Sequence, residues 1–417
     1  MPQIGFHYFP DDVHYRAADL HAWLPELKAL GARWLTLLGS LTRAVPEPFI
    51  TGLKQAYIEP IIHIHTLPTE NAALTSLLGT YARWGVRYVV FGHELNLRTQ
   101  WPTAEWGQPN LVERLIERLT PVWRAQEAAG LEMVFPPLRA GGDYWDTAFL
   151  EAALAALQRQ GRGELIQQLT FAVNLFSEGK PANWGAGGLH AWPAARPYAT
   201  LPNTQDQRGF HLFDWYNEII TARAGQTRPL LCLAGGPRLG EAALTSENSA
   251  KANAAVQHAT VTQEILNLVE AARLPANLVN INFWLLAAGA ESSIAREAWY
   301  QPDGTQVPAI TALKQFAQRH AAKNPARAKF RPKTNHGKLF AHYLLLPTFE
   351  WGLSEWHWQK ALEYVKLHQP TCGFSQEEAA QAERVTLFGN EQGLSLELEH
   401  QLQSIGCEVE RVFPVVE

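Results

Sequence analysis

Glu94 is the residue of this chain best placed for proton chemistry. It follows the apolar run Tyr88-Val89-Val90-Phe91 in the stretch Gly92-His93-Glu94-Leu95-Asn96. A carboxyl group just past a buried strand loses solvent, and its pKa rises. An acid kept protonated in this way donates to a leaving oxygen, and a glycosidic oxygen is a suitable acceptor. The structural alternative is a glutamate that bonds a neighbouring loop. His63 and His65 alternate along one run and so share a face. With Glu94 they lack a clear third ligand, so no metal site is expected, and no cofactor is implied. His7, His65, His93 and Asn174 are suited to sugar hydroxyls. Trp145, Trp184 and Trp284 offer flat faces to sugar rings, as does Trp192. Any one of the 15 Trp would pack equally well in a core, and the reading rests on several falling at strand ends. Trp184 and His190 lie in the longest connection, 176–208, which is expected to be a flap over the site.

Such residues need elements that bring them to one place. Short apolar runs at 4–8, 34–38, 60–65, 88–92, 132–136, 170–175, 229–234 and 279–285 alternate with longer amphipathic stretches. That is the pattern of repeated βα units, whose strands are buried on both faces and read as continuous apolar segments. Gly31, Gly85 and Gly130 stand just past helical patterns, where left-handed caps are expected. Eight units without a GxGxxG turn favour an α/β (β/α)8 TIM barrel over a doubly wound sheet. Residues 1–321 form the expected barrel, 322–336 a basic linker, and 337–417 a small α/β module. In a barrel the strand ends build the site, which is where Glu94, the histidines and the tryptophans fall.

Composition removes several classes. Of 417 residues, 35 are Lys or Arg and 40 Asp or Glu, so the net charge is −5 and no nucleic-acid partner is expected. With 47% hydrophobic residues the chain is globular, and no run reaches the ~18 apolar residues a membrane span needs. The three cysteines, Cys232, Cys372 and Cys407, lack CxxC spacing and read as buried free thiols. The first residues show no basic, then apolar, leader pattern. The expectation is a soluble chain, cytoplasmic by default and extracellular if a leader has been removed.

The stretch from Tyr88 to Asn96 resembles the fourth-strand motif of the large clan of retaining (β/α)8 glycoside hydrolases, in which an Asn-Glu pair carries the acid/base. Trp299-Tyr300-Gln301-Pro302-Asp303-Gly304 and the following Pro308-Ala309 are similar to the clan's usual ending, and Phe210 to Tyr216 fits its sixth helix. The resemblance implies a polysaccharide- or oligosaccharide-acting barrel with Glu94 as general acid. It departs from the clan in two places. His93 stands where the clan has Asn, and in Arg228-Pro229-Leu230-Leu231-Cys232-Leu233-Ala234-Gly235-Gly236 the nucleophilic Glu is replaced by Ala234. A methyl group forms no glycosyl-enzyme. Three outcomes stay open: another carboxylate (Glu178, Asp143, Glu241 or Glu291) serves an inverting enzyme, the barrel is a non-catalytic carbohydrate-binding pseudoenzyme, or it runs a different chemistry. Toward the C-terminus, Arg384 to Ser395 followed by Gly406-Cys407-Glu408-Val409-Glu410-Arg411 is similar to bacterial cell-wall-binding repeat type 2, which implies cell-wall contact. Trp351, Trp356 and Trp358 are candidates for packing or for a second binding face.

Overall fold

The computed structural model describes residues 2–239, 248–323, 338, 340–347, 355–368, 370–390 and 393–412. Glu241, Trp351 and most of the expected linker lie outside the described residues, as do the side chains of Trp356 and Trp358. The chain divides into two compact units, Met1–His320 and Ala321–Glu417.

The first unit is a (β/α)8 barrel. Its strands are β1 Gln3–His7, β2 Trp34–Leu38, β3 Glu59–Ile64, β4 Tyr88–Phe91, β5 Val134–Phe135, β6 Thr170–Phe176, β7 Leu230–Gly236 and β8 Asn280–Phe283. All pair in parallel in the order β4-β3-β2-β1-β8-β7-β6-β5. The ring closes through a bridge between Tyr88 and Glu132, where Glu132 N–H donates to the Arg87 carbonyl at 3.0 Å. The two-residue period of the strands sorts their side chains into two cores. Trp34, Ile61, Tyr88, Val90, Val134, Ala172, Leu231 and Leu233 fill the barrel. Their neighbours Leu35, Ile62, Val89, Phe171 and Leu230 face the helices.

Two features of the interior are set by single residues. Between Leu230↔Leu278 and Gly235↔Phe283, β7 and β8 do not pair directly. There the side-chain amide of Asn280 takes the place of the ladder, accepting from Cys232 N–H at 3.0 Å and donating to the Cys232 carbonyl at 2.7 Å. Asn282 donates to Thr36 Oγ1 inside the barrel at 2.8 Å. Gly5 sits where β1 meets that network. A Cβ on Gly5 would lie 2.3 Å from both Asn282 Oδ1 and the Trp34 carbonyl oxygen, so β1 itself would have to move. Gly5→Ala is therefore expected to cost about 1–3 kcal/mol of stability, read as a lower urea midpoint.

His258, on the helix Asn248–Glu270, packs against the buried Trp299 ring at 5.2 Å, and neither ring nitrogen has a hydrogen-bond partner among the described residues. Burial lowers its pKa to about 4. The native state thus refuses a proton that the unfolded chain accepts near pH 6.5. The contribution is fully present above pH 6.5 and is lost as the pH falls toward 4, by on the order of 3 kcal/mol. Urea midpoints from pH 7.5 to 4.5 are expected to fall more steeply for the wild type than for His258→Leu; parallel curves would contradict this.

The second unit is a four-stranded parallel sheet: β9 Phe340–Leu345, β10 Thr371–Gly373, β11 Ala382–Phe388 and β12 Glu408–Val412, in the order β10-β9-β11-β12. Tyr343, Leu345, Val385 and Leu387 pack with Leu398 and Leu402 on one face, and Leu344 and Phe388 pack with Ala361 on the other. β10, at three residues, is too short to show an alternation in sequence. The three cysteines are free. Cys232 and Cys407 are buried as expected, whereas Cys372, on β10, is exposed. No described helix is long and apolar enough to cross a membrane.

Candidate active site

Strand β4 ends at Phe91, and Gly92, at φ +90°, turns the chain inward; a Cβ there would meet Leu95 Cδ1 at 2.8 Å. Two residues later Glu94 adopts φ +48°, a left-handed conformation that costs a non-glycine residue about 1–2 kcal/mol. The loop holds it there. Glu94 N–H donates to the Pro137 carbonyl at 3.0 Å, and its carbonyl accepts from Leu97 N–H at 2.8 Å. Asn96, fully buried, ties the same loop to the one after β5: Nδ2 donates to the carbonyls of Arg139 and Tyr144, and Oδ1 accepts from Arg139 N–H, all at 2.8 Å. Asp143 reinforces the tie by accepting from Arg98 N–H at 2.8 Å. The clamp fixes Arg139 against Glu94.

The Glu94 side chain lines a cavity of about 250 Å³ at the C-terminal end of the strands, together with His7, His63, His65, His93, Arg139, Asn174, Ala234, Arg238 and Trp284. Asn174 Nδ2 donates to Oε1 at 3.4 Å, Arg139 Nη1 lies 3.9 Å from the same oxygen, and His93 Nε2 lies 3.7 Å from Oε2. Burial raises the Glu94 pKa against the opposing pull of Arg139, Asn174 and Arg238. Arg139 also reaches Glu178, from Nη2 to Oε1 at 3.3 Å. Two carboxylates from different loops therefore share one guanidinium. Removing it by Arg139→Met is expected to raise the Glu94 pKa further and to move the alkaline limb of any pH–rate profile up with it. An unmoved limb would detach Arg139 from Glu94.

On the opposite wall Trp284 stands edge-on to His7 at 4.7 Å. Its Nε1 donates to Glu297 Oε2 at 2.7 Å, and Arg238 holds Glu297 through two bonds of 2.8 Å. This fork pins the indole plane. Four imidazoles cluster beside Glu94. His65 and His93 stack at 4.1 Å, and His63 lies 4.6 Å from His65 and 5.3 Å from His93 between ring centres. Loss of solvent lowers the pKa of His7 to about 3, with His65 and His93 adding to it, and that of His93 to about 4, with Arg139 adding to it. His63 is likewise held well below the usual imidazole range by burial. At neutral pH these rings are uncharged.

Of the residues expected at the site, Glu94, His7, His65, His93, Asn174 and Trp284 meet in the one cavity, with Ala234 in its wall. Trp145, Trp184 and His190 do not line it. Trp145 is 5% exposed and packs under Tyr198 and the Arg208 guanidinium. Trp184 donates from Nε1 to Asp206 at 3.1 Å, and Lys180 sits 4.8 Å over its ring. His190 is exposed on a short helix whose backbone is held by Glu218. For Trp184 the physical reason is Asp206. Although burial opposes its charge, bonds from Arg208, Thr200 and Trp184 hold its carboxyl below the usual range, and the 176–208 connection folds around it as an ionic knot. Arg238 and Glu297 were missed in the sequence, and Arg139 was not recognised as the link between two carboxylates. The available signal was an arginine just beyond strands five and seven.

No family model matches the chain, and no curated protein matches it. Solved structures do. A family 39 glycoside hydrolase from Bacteroides cellulosilyticus WH2 is similar at 10% identity and TM-score 0.48 over 75% of this chain, which spans 64% of that one. A family 10 glycoside hydrolase from Paenibacillus barcinonensis is similar at 9% identity and TM-score 0.45, over 76% of this chain and 96% of that one. An L-ribulose 3-epimerase is similar at 12% identity and TM-score 0.41, over 80% and 100% of the two chains. These likenesses are of fold.

Proposed function

We propose that the barrel hydrolyses a glycosidic bond in a polysaccharide or oligosaccharide with inversion, using Glu94 as general acid and Glu178 as general base. The observation that carries this is the pair of carboxylates on one guanidinium, of which Glu94 is buried, with its pKa raised by that burial, and Glu178 is the more exposed. Environments that differ in this way separate the roles of acid and base. Protonated Glu94 gives its proton to the leaving oxygen as the bond to the anomeric carbon breaks. Glu178 takes a proton from the water that attacks that carbon from the opposite face. Arg139 steadies both carboxylates. Asn174 and the uncharged His7, His65 and His93 offer hydrogen bonds to sugar hydroxyls, and Trp284 offers an aromatic wall. At about 250 Å³ the cavity falls just below the ~300–1,000 Å³ of typical small-molecule sites, which suits one sugar unit at a chain end or branch.

A second reading is favoured by one observation. Ala234, beside Asn174 in the β6–β7 register, gives the wall no carboxylate at the seventh strand, as in a non-catalytic sugar binder. Contact of the C-terminal module with cell-wall glycan belongs to either reading and rests on the Arg384 to Arg411 pattern. Wild type and Glu94→Gln, assayed for new reducing ends on glucans, xylans, mannans, galactans and peptidoglycan fragments, separate the two. Hydrolysis by the wild type that Glu94→Gln loses supports the enzyme, whereas glycan binding without hydrolysis by either supports the binder.

A further inference from the structure

We propose that His63, His65 and His93 bind a divalent transition-metal ion, zinc being the reference case, with its remaining coordination position open to the cavity beside Glu94. One ring nitrogen from each lies within 4.8 Å of those of the other two. Nitrogens bound to a single zinc at about 2.0–2.1 Å stand roughly 3.4 Å apart, so contraction of the trio by about an ångström closes the site. The two rings that must move have room to do so: His65 is exposed and His93 half-buried at the mouth, while His63 is the fixed member.

Three further facts point to a ligand. His63 Nε2 bonds the Gly92 carbonyl at 3.1 Å, the outer-partner arrangement that orients metal-binding imidazoles and leaves Nδ1 with the lone pair. Nδ1 of His93 is buried and has no hydrogen-bond partner. So is Nδ1 of His7, a fourth imidazole on the same cavity that is 4% exposed. Three imidazoles with an open position are a zinc arrangement that leaves room for water or a substrate oxygen.

The inference stands independently of glycoside cleavage and is tested without substrate. Tag-free full-length chain, freed of metal by chelator dialysis, is titrated with Co²⁺ and then with Zn²⁺. The expected result is one equivalent of Co²⁺ with visible absorption of tetrahedral intensity, displaced by Zn²⁺, and at least tenfold weaker binding in His65→Ala and in His93→Ala. Far-UV circular dichroism checks that both variants are folded, and His190→Ala, an exposed histidine outside the cavity, serves as the control that retains binding. Absence of the band in the wild type, or equal affinity in wild type and both mouth variants, overturns the proposal. Metal binding without hydrolysis upholds this site and counts against the hydrolase reading alone, and the reverse result does the opposite.

Discussion

Glu94→Gln lowers turnover by about 10²–10⁴-fold while glycan affinity changes little, because the amide keeps the shape of the acid but has no proton to give. The same substitution is expected to raise stability at neutral pH. Burial lifts the native carboxyl pKa above its unfolded value, so ionisation of Glu94 costs the native state free energy as the pH rises. The left-handed backbone at φ +48° adds to that cost and remains in the variant. Lower kcat with a higher urea midpoint is a pairing that a merely structural glutamate would not produce. A fall in both would return Glu94 to a role in loop packing.

Glu178→Gln is the second large effect. With Ala234 in the cavity wall, the β7 position offers no nucleophile, and in the proposed mechanism the carboxylate across Arg139 from Glu94 activates water. Its loss is expected to cost about 10²–10⁴-fold in kcat. Azide added to Glu178→Gln is expected to restore turnover by attacking in place of the activated water, and the same anion added to Glu94→Gln restores none with a poor leaving group. Glu178 differs from Glu94 in being fairly exposed, so its substitution is expected to leave the unfolding free energy, read from urea titration, within about 0.5 kcal/mol of wild type. Of the other carboxylates considered, Asp143 is spent on the Arg98 backbone, and Glu291, exposed and outside the cavity lining like Glu178, lacks the ion pair with Arg139 that Glu178 makes among the described residues.

The barrel was legible because strands buried on both faces leave continuous apolar runs, and all eight fall within a few residues of where those runs lie. The mouth was partly legible for the same reason. His7, His65, Asn174 and Trp284 belong to strands or directly extend them, so period-two geometry decides their direction. His93 and Glu94 depend on the turn at Gly92, and the sequence offered only the glycine as a sign of it. That turn carries His93 onto the His63–His65 pair, the third imidazole that spacing alone could not supply. Trp145, Trp184 and His190 were placed by their position after strands five and six. The direction of Trp184 is decided by its bond to Asp206, a residue that no periodicity marks, while Trp145 packs against Tyr198 and Arg208 and the His190 backbone is held by Glu218. The Asn280 amide that replaces part of the β7–β8 ladder was hidden likewise, since an asparagine in a strand reads as polar whether it faces a sugar or a backbone.

The most direct measurement of the central claim is proton NMR of the first product formed by the wild-type chain on whichever glycan it cleaves, recorded before mutarotation. Two carboxylates sharing Arg139, with alanine at the seventh strand, are expected to release the sugar with its anomeric configuration inverted. Release with retained configuration would contradict the account, as would failure to cleave any glycan of the panel.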